Sequence, residues 1–424
     1  MPKNYVAQVN RLPDDGELQA VLEFICSESN KLYNCTLYLA RQLYFKARKF
    51  SNGCWLSTAM KRNSHFRALF TSMAQQTCIS VGEAFKGYKA LLKLWRRGEL
   101  PNKPKPPHYR KSGGLFQCSY GKRWLKIVDG KVRVPLGTSI KTWFGLKEVW
   151  LPFPSNLDWA NVKELQIVPR AMGFDAVWIH QSEQPEQVKA IPGKFMGIDH
   201  GVNNWLTCVT PDGSFIVDGL QLKALNQGYN KRIATIKEGK EQAFWCKLLD
   251  RLTAKRNRQM RDAVNKAARM VINHCLDNGI GMVVFGWNKG QKNEANMGKK
   301  TNQKFVQIPT ARLKNRIAQL CDAHGIEFIE QEESYSSQAS ALDLDEIPVF
   351  GEKPKGWKPS GKRVRRGLYR SADGTTINAD GNGAWNIARK ANVTGMLSKP
   401  ARGVLTSPKR LRIWAPSPPG YQKC

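Results

Sequence analysis

The sequence predicts an α+β multidomain protein, and three observations carry that prediction. Apolar residues recur at helical spacing near the amino end, short alternating runs occupy the middle, and strands alternate with long helices beyond Lys194. The chain has 424 residues with 67 Lys and Arg against 34 Asp and Glu, a net charge of +33. Such a balance favours a polyanionic partner, nucleic acid, attracted strongly and in a salt-dependent way. Hydrophobic residues at 41% and 13 Trp supply several cores, which excludes a histone-like peptide or a disordered basic tail. No apolar run approaches the roughly 20 residues of a spanning helix, and Met1-Pro2-Lys3-Asn4 leads into no signal-peptide stretch. A soluble, intracellular protein without a membrane partner is expected.

The elements follow in order. Pro13-Asp14-Asp15 precedes Leu18, Val21, Leu22, Ile25, Leu32, Leu39 and Leu43, a helical stripe opened by capping acids. A second stripe, Phe85, Tyr88, Leu92 and Trp95, stops at Arg96-Arg97-Gly98, and Pro101-Asn-Lys-Pro-Lys-Pro-Pro107 is an extended linker. From Leu115 to Ser182, runs such as Lys131-Val-Arg-Val-Pro135 and Glu164-Leu-Gln-Ile-Val168, punctuated by Asp129-Gly130, predict strands of a small β-barrel or sandwich. After a connector at 183–193 come the apolar strands Phe195-Met-Gly-Ile198 and Met282-Val-Val-Phe285, separated by a long helical stretch from Lys223 to Asn278. A helix from Pro309 to Gly325 then feeds the strand Ile326-Glu-Phe-Ile329. This alternation predicts an α/β domain with buried central strands. Residues 351–370 hold eight basic residues and one acid, a charged insertion, and 391–424 is a basic, proline-rich tail.

Ten cysteines are scattered with no pair at C-x₂-C spacing, so no zinc ribbon is expected, and the six histidines form no paired cluster. Chemistry must come from carboxylates. Asp199 follows an apolar strand in Gly197-Ile-Asp-His-Gly201, and Asp380 stands in Ile377-Asn-Ala-Asp-Gly-Asn-Gly-Ala-Trp-Asn-Ile387. Alone, the first motif reads as a turn and the second acid as a helix N-cap. Clustered, they are the hard oxygen donors that divalent metals require for phosphodiester hydrolysis.

Together, in this order, they resemble the TnpB family, transposon-encoded RNA-guided DNA endonucleases related to Fanzor proteins and type V CRISPR effectors. The resemblance spans most of the chain. Its anchors are Gly197–Gly201 with Thr207, Val283-Val-Phe-Gly-Trp-Asn-Lys289, Phe305-Val-Gln-Ile-Pro309 with Arg312-Leu313, Glu333-Ser-Tyr-Ser-Ser337, and Asn378-Ala-Asp-Gly-Asn-Gly-Ala384 with Asn386-Ile387. Softer matches are Leu32-Tyr-Asn34, Ala84-Phe-Lys-Gly-Tyr-Lys89 and Pro106-Pro-His-Tyr-Arg110.

The resemblance implies a wedge-like β-barrel (1–13 and 115–190) interrupted by a helical recognition module (14–114). It further implies an RNase H-like (RuvC) nuclease domain (191–338 and 376–395) and a basic nucleic-acid-binding insertion (339–375), while composition makes the tail (396–424) mobile or ordered only on nucleic acid. Two departures matter. Where most of these nucleases carry the middle catalytic Glu, this chain has Gly286 and Trp287; a rearranged branch places a Glu just before the Tyr-Ser-Ser-type motif, and Glu333 fills that position. Neighbouring strands lie about 4.8 Å apart, so a Glu on the next strand can reach the vacated site; Glu330 and Glu332 are its rivals. The insertion also lacks the family's two C-x-x-C pairs.

The implied site is Asp199, Glu333 and Asp380 holding two Mg²⁺ ions, without zinc. Lys362, Arg363, Arg365, Arg366 and Arg370 are the expected nucleic-acid contacts, and Asn382 would orient Asp380 or a water. Trp95, Trp124, Trp287 and Trp357 are candidates for base stacking, set against simple packing. The implied partners are a guide RNA from the transposon end and double-stranded target DNA, in a prokaryotic, nucleoid-associated cytoplasmic setting. Other readings are a nuclease-silenced RNA-guided repressor, a type V CRISPR effector, and a conventional RNase H-fold transposase.

Overall fold

A computed structural model describes residues 5–182, 185–288, 308–391 and 399–414. The chain divides into two units, 1–183 and 184–424. Lys289, Phe305–Gln307 and the tail beyond 414 lie outside the described residues.

In the first unit, β1 (Tyr5–Arg11) is followed by α1 (Gly16–Ala47), α2 (Gly53–Ala59), α3 (Ser64–Ala68) and α4 (Thr71–Arg96). The extended Asp15 starts α1 by accepting a hydrogen bond from the Leu18 amide at 2.8 Å, and Arg48 ends it in the left-handed region at φ 53°. The proline linker has no regular structure and is strapped to α1. Asn34 Nδ2 donates to the Arg110 carbonyl at 3.1 Å and the Arg110 amide donates back to Asn34 Oδ1 at 2.9 Å.

The unit continues through β2 (Cys118–Gly121), β3 (Lys126–Val128), β4 (Lys131–Pro135), α5 (Thr138–Phe144), β5 (Glu148–Pro152), β6 (Val162–Arg170) and β7 (Gly173–Gln181). These pair antiparallel in the orders β1-β7-β6-β2 and β3-β4-β5. Among the described residues the strands therefore form two open sheets, not one closed ring of pairs. β1 pairs with β7 from Tyr5–Gln181 to Arg11–Asp175, so the helices are inserted in sequence between strands of one sheet. Leu22, Ile25, Met73, Tyr120, Val132, Leu151 and Trp178 share one buried core that ties helices to both sheets.

The second unit is built on a six-stranded mixed sheet. Its strands are β8 (Met196–His200), β9 (Asn204–Thr210), β10 (Gly213–Asp218), β11 (Met282–Gly286), β12 (Glu327–Gln331) and, at the far edge, residues Lys409–Leu411. β8, β9 and β10 form an antiparallel meander, while β11 runs parallel to β8 and β12 parallel to β11. The connections are helical: α6 (Leu220–Lys237) and α7 (Lys247–Asn278) join β10 to β11, and α8 (Thr310–His324) precedes β12. A three-stranded antiparallel sheet of β13 (Lys362–Arg365), β14 (Leu368–Arg370) and β15 (Thr376–Asn378) then leads into α9 (Ala379–Lys390).

Side chains alternate across β8, which separates two cores. Met196 and Ile198 pack with Val264, Val271 and Ile317 of α7 and α8, whereas Phe195 packs with Ala384 and Trp385 of α9.

The tail differs from its expectation as a mobile segment. Residues 402–406 form α10 and 409–411 form β16, parallel to β10, because Val404, Leu405 and Ile413 are apolar and buried between the prolines. No described helix is long and apolar enough to cross a membrane.

Two glycines let α2 meet α4. A Cβ on Gly82 would lie 2.5 Å from the Gly53 nitrogen, whereas one on Gly87, an exposed position of α4, would meet nothing within 4 Å. Gly82→Ala should destabilise the first unit by about 1–3 kcal/mol through overpacking, and Gly87→Ala should stabilise α4 by up to about 1 kcal/mol. Hydrogen exchange of α2 and α4 amides checks both.

Candidate active site

Phe195, Gly197 and Asp199 share one face of β8, and α9 lies directly on it. The Phe195 and Trp385 rings sit 5.4 Å apart, and a Cβ on Gly197 would come 2.3 Å from the Ala384 carbonyl oxygen. No side chain fits there, so glycine at 197 fixes how near α9 approaches. One residue earlier in α9, a Cβ on Gly383 would lie 3.0 Å from Asp199 Oδ2. The same helix begins with Asn378, whose side chain caps it by accepting from the Asp380 and Gly381 amides at 3.0 and 2.9 Å. Asp380 is thus in the first turn and not the cap, and its carboxylate is turned toward β8 and β9. Asn204 of β9 donates to Asp380 Oδ2 at 2.7 Å, and Arg363 of β13 stands 3.7 Å from Oδ1.

Glu333 arrives from the end of β12. β11 pairs in parallel with β8 through Phe285–Ile198 and with β12 through Gly286–Gln331. A Cβ on Gly286 would meet Glu333 Oε2 at 3.0 Å, Ile387 Cδ1 at 2.5 Å and the Ile198 carbonyl at 3.3 Å. The space that a side chain at 286 would fill is therefore occupied by the Glu333 carboxylate and Ile387. Asn288 fixes this acid from two directions, donating to Oε1 at 3.3 Å and accepting from the Glu333 amide at 3.2 Å.

The rival acids are engaged elsewhere: Glu330 pairs with Lys314, and Glu332 with Lys390 and the Ser334 amide. Burial pushes the Glu332 carboxyl up, but the contacts with Lys390 and Ser334 outweigh it and hold the group below its ordinary range.

The three acids act on one another. Burial, then the charges of Glu333 and Asp380, push the Asp199 carboxyl well above its usual range, against smaller opposing effects of the His200 backbone and Arg363. A carboxyl pushed up in part by two neighbouring carboxylates marks a donor set whose repulsion a divalent cation relieves, and such oxygens suit Mg²⁺. Among the described residues, no three acidic, His or Cys side chains already stand grouped at metal-binding spacing. A cavity of about 370 Å³ opens over Asp199 and Asp380 and is edged by Asn204, Arg363, Arg366 and Arg410.

Lys362, Arg363, Arg365, Arg366 and Arg370 are all exposed on the β13–β14 hairpin, and of these Arg363 and Arg366 reach the cavity. Two carboxylates tie together the insertion that holds the hairpin. Asp343 accepts from Ser340 Oγ, Ser360 Oγ and the Ala372 amide, and Asp345 from the Ser340 and Ser360 amides. Burial raises the Asp343 carboxyl, but bonds from Ser340, Ala372 and Ser360 hold it below its ordinary range.

Asn382 is bonded to the insertion, and no hydrogen bond from it to Asp380 is found among the described residues. It is buried, accepting from the Ala341 amide at 2.9 Å and donating to the Ala339 carbonyl at 2.8 Å. Both ends of its amide clamp the insertion to α9. Of the tryptophans, Trp287 packs against the second unit's core with Lys314 over its ring, Trp357 donates to the Glu346 carbonyl, and Trp124 is exposed beneath Arg123. Asn204, Asn288 and Arg410 were not marked as functional by sequence. Asn288 lies within a quoted motif; Arg410 had no signal beyond its charge.

Fold and site define an α+β multidomain protein in which acids from three segments face the middle of a mixed sheet, and comparisons with known proteins agree with the fold. Residues 179–291 match the OrfB_IS605 family, described as a probable transposase. It is similar in fold to Cas12f1, solved with a single-guide RNA and target DNA, at a TM-score of 0.57 and 14% identity over 88% of this chain and 83% of that one. The mini-RNA-guided endonuclease Cas-phi3 aligns over 94% of both chains at 9% identity and a TM-score of 0.45. No curated protein sequence matches.

Gly286→Ala should displace the Glu333 carboxylate and lower any metal-dependent cleavage by about tenfold or more, a misplacement effect, with the fold intact by circular dichroism. For the insertion, a depressed Asp343 pKa contributes stability above the unfolded value of about 3.9 that is lost as pH falls through the folded value. Protease cutting within 351–359 should therefore rise as pH is lowered from about 5 to 3, and Asp343→Asn should show enhanced cutting already at neutral pH.

Proposed function

We propose that the protein is a transposon-associated RNA-guided DNA endonuclease that cuts target DNA beside a short motif by Mg²⁺-dependent phosphodiester hydrolysis. The observation that carries this is the convergence of Asp199, Glu333 and Asp380, from β8, the end of β12 and the start of α9, under an arginine-bearing hairpin. The β8–β9–β10 meander flanked by parallel β11 and β12 supports an RNase H-like, RuvC-type reading of the second unit. Helices inserted between strands of one sheet support a wedge-like domain with a recognition module in the first.

Asp199, Glu333 and Asp380 would hold the divalent ions. These ions would lower the pKa of the attacking water and stabilise the departing oxygen. Asn288 and Asn204 keep Glu333 and Asp380 turned inward, and Gly197, Gly286 and Gly383 admit the close approach on which that depends. Arg363 and Arg366, edging the cavity, are placed to meet phosphate oxygens, while Lys362, Arg365 and Arg370 offer further backbone contacts outside it. Guide RNA and double-stranded DNA are the partners this reading requires: base pairing chooses the target and a basic surface reads heteroduplex shape. A chain of +33 suits two polyanions.

The match to a family of probable transposases favours one second reading, a conventional transposase of the same fold class, which would join transposon ends to target DNA. Incubating the purified complex with guide-matched plasmid and Mg²⁺ separates them, since linearised product supports guided cleavage and strand-transfer product supports the alternative. Asp199→Ala, Glu333→Ala and Asp380→Ala should each reduce cleavage by more than the roughly 100-fold that loss of a supporting contact costs, with RNA-dependent DNA binding retained in gel shifts. Glu330→Ala should cut at close to the parent rate. If Glu333→Ala cuts normally and Glu330→Ala or Glu332→Ala does not, the middle acid is misassigned.

A further inference from the structure

The carboxyl-terminal strand reaches the carboxylate site through a chain of polar contacts. Arg410, in β16, is held at the sheet edge by pairing with Ile216 of β10. Its guanidinium spans two partners: Nη1 lies 3.3 Å from Asp218 Oδ1, and Nη2 donates to Asn204 Oδ1 at 2.9 Å. The other end of the same amide, Asn204 Nδ2, donates to Asp380 Oδ2 at 2.7 Å.

The chemistry of these groups permits only one arrangement. Arginine can only donate, and an ionised carboxylate can only accept, so an amide between them must turn its oxygen to Arg410 and its nitrogen to Asp380. Arg410 in turn is aimed by Asp218, which is buried. Each member fixes the next, and the last in line is a proposed metal-binding acid with one oxygen committed to Asn204 and the other 3.7 Å from Arg363 at the cavity edge.

We propose that Arg410 is a positioning residue of the active site: docked through β16 and anchored on Asp218, it orients Asn204 and so sets the carboxylate of Asp380 for divalent-cation binding. The carboxyl-terminal segment is then a working part of the nuclease unit. This rests on the reading of Asp380 as a metal-binding acid. A planar fork is needed to bridge Asp218 and Asn204 together, which the point charge of lysine does not supply.

The test is Mn²⁺ binding to the full-length protein, followed by electron paramagnetic resonance, alongside the Mg²⁺ dependence of cleavage. Arg410→Ala should raise the half-saturating Mn²⁺ concentration about tenfold, at the lower end of the range for supporting contacts, and Arg410→Lys should remain close to it. Lys409→Ala, which removes the same charge one residue away, should match the parent. In an Asn204→Ala background, Arg410→Ala should add little, because both act through one contact.

Unchanged Mn²⁺ binding in Arg410→Ala, an equal loss in Lys409→Ala, or additive losses in the double variant would each overturn the proposal. So would weakened DNA binding with metal dependence intact, which would make Arg410 a phosphate contact. A parent protein that binds Mn²⁺ but cuts no guide-matched DNA would refute the endonuclease reading and leave this comparison standing; one that binds no Mn²⁺ overturns the proposal itself.

Discussion

The close approach of α9 to β8 is the constraint on which the second unit depends. With 2.3 Å between a notional Cβ at residue 197 and the Ala384 carbonyl, the helix can sit where it does only over glycine. That contact sets the height of Asp380 above Asp199 and makes room for Asn382 and Asn386 to reach the insertion backbone. Helix, sheet and insertion are thereby registered to one another by backbone contact and buried amides, which tolerate little slack.

A second consequence is electrostatic. Burial first, and then the charges of Glu333 and Asp380, raise the proton affinity of Asp199, so bringing three carboxylates together disfavours their joint ionisation. The surroundings partly offset this with neutral donors, Asn204 and Asn288, and with cations held back from direct contact. Arg363 stands 3.7 Å from Asp380, near enough to soften the repulsion and too far for a tight ion pair. A bidentate arginine at Asp380 would occupy both oxygens, whereas amides take one and leave the other open.

Much of this was legible in the sequence because the informative features are local. Strand Phe195–Ile198 ending in an acid, glycines beside it, and an Asn-Ala-Asp-Gly helix start are short-range patterns whose meaning survives without knowledge of the fold. The boundary between the first helices and the strands after them was also legible, since a proline linker and a switch of periodicity mark it, whereas the insertion of those helices between β1 and β7 came only with the family resemblance. What sequence missed was made by contacts between distant segments. Arg410 looks like any basic residue of a proline-rich tail until β16 pairs with β10, and Asn382 looks available for the metal site until the 339–341 backbone takes both ends of its amide. Proline content suggested a loose tail; three buried apolar residues between the prolines were enough to dock it.

Gly286 and Glu333 carry a wider implication. They belong to adjoining strands, and the carboxylate of one lies in the volume the other leaves empty. On the proposed reading, the site needs a carboxylate in this volume, and either of two adjoining strands could supply it. An acid sought only at residue 286 would be missed, whereas one sought in the space beside Ile198 and Ile387 is found at Glu333.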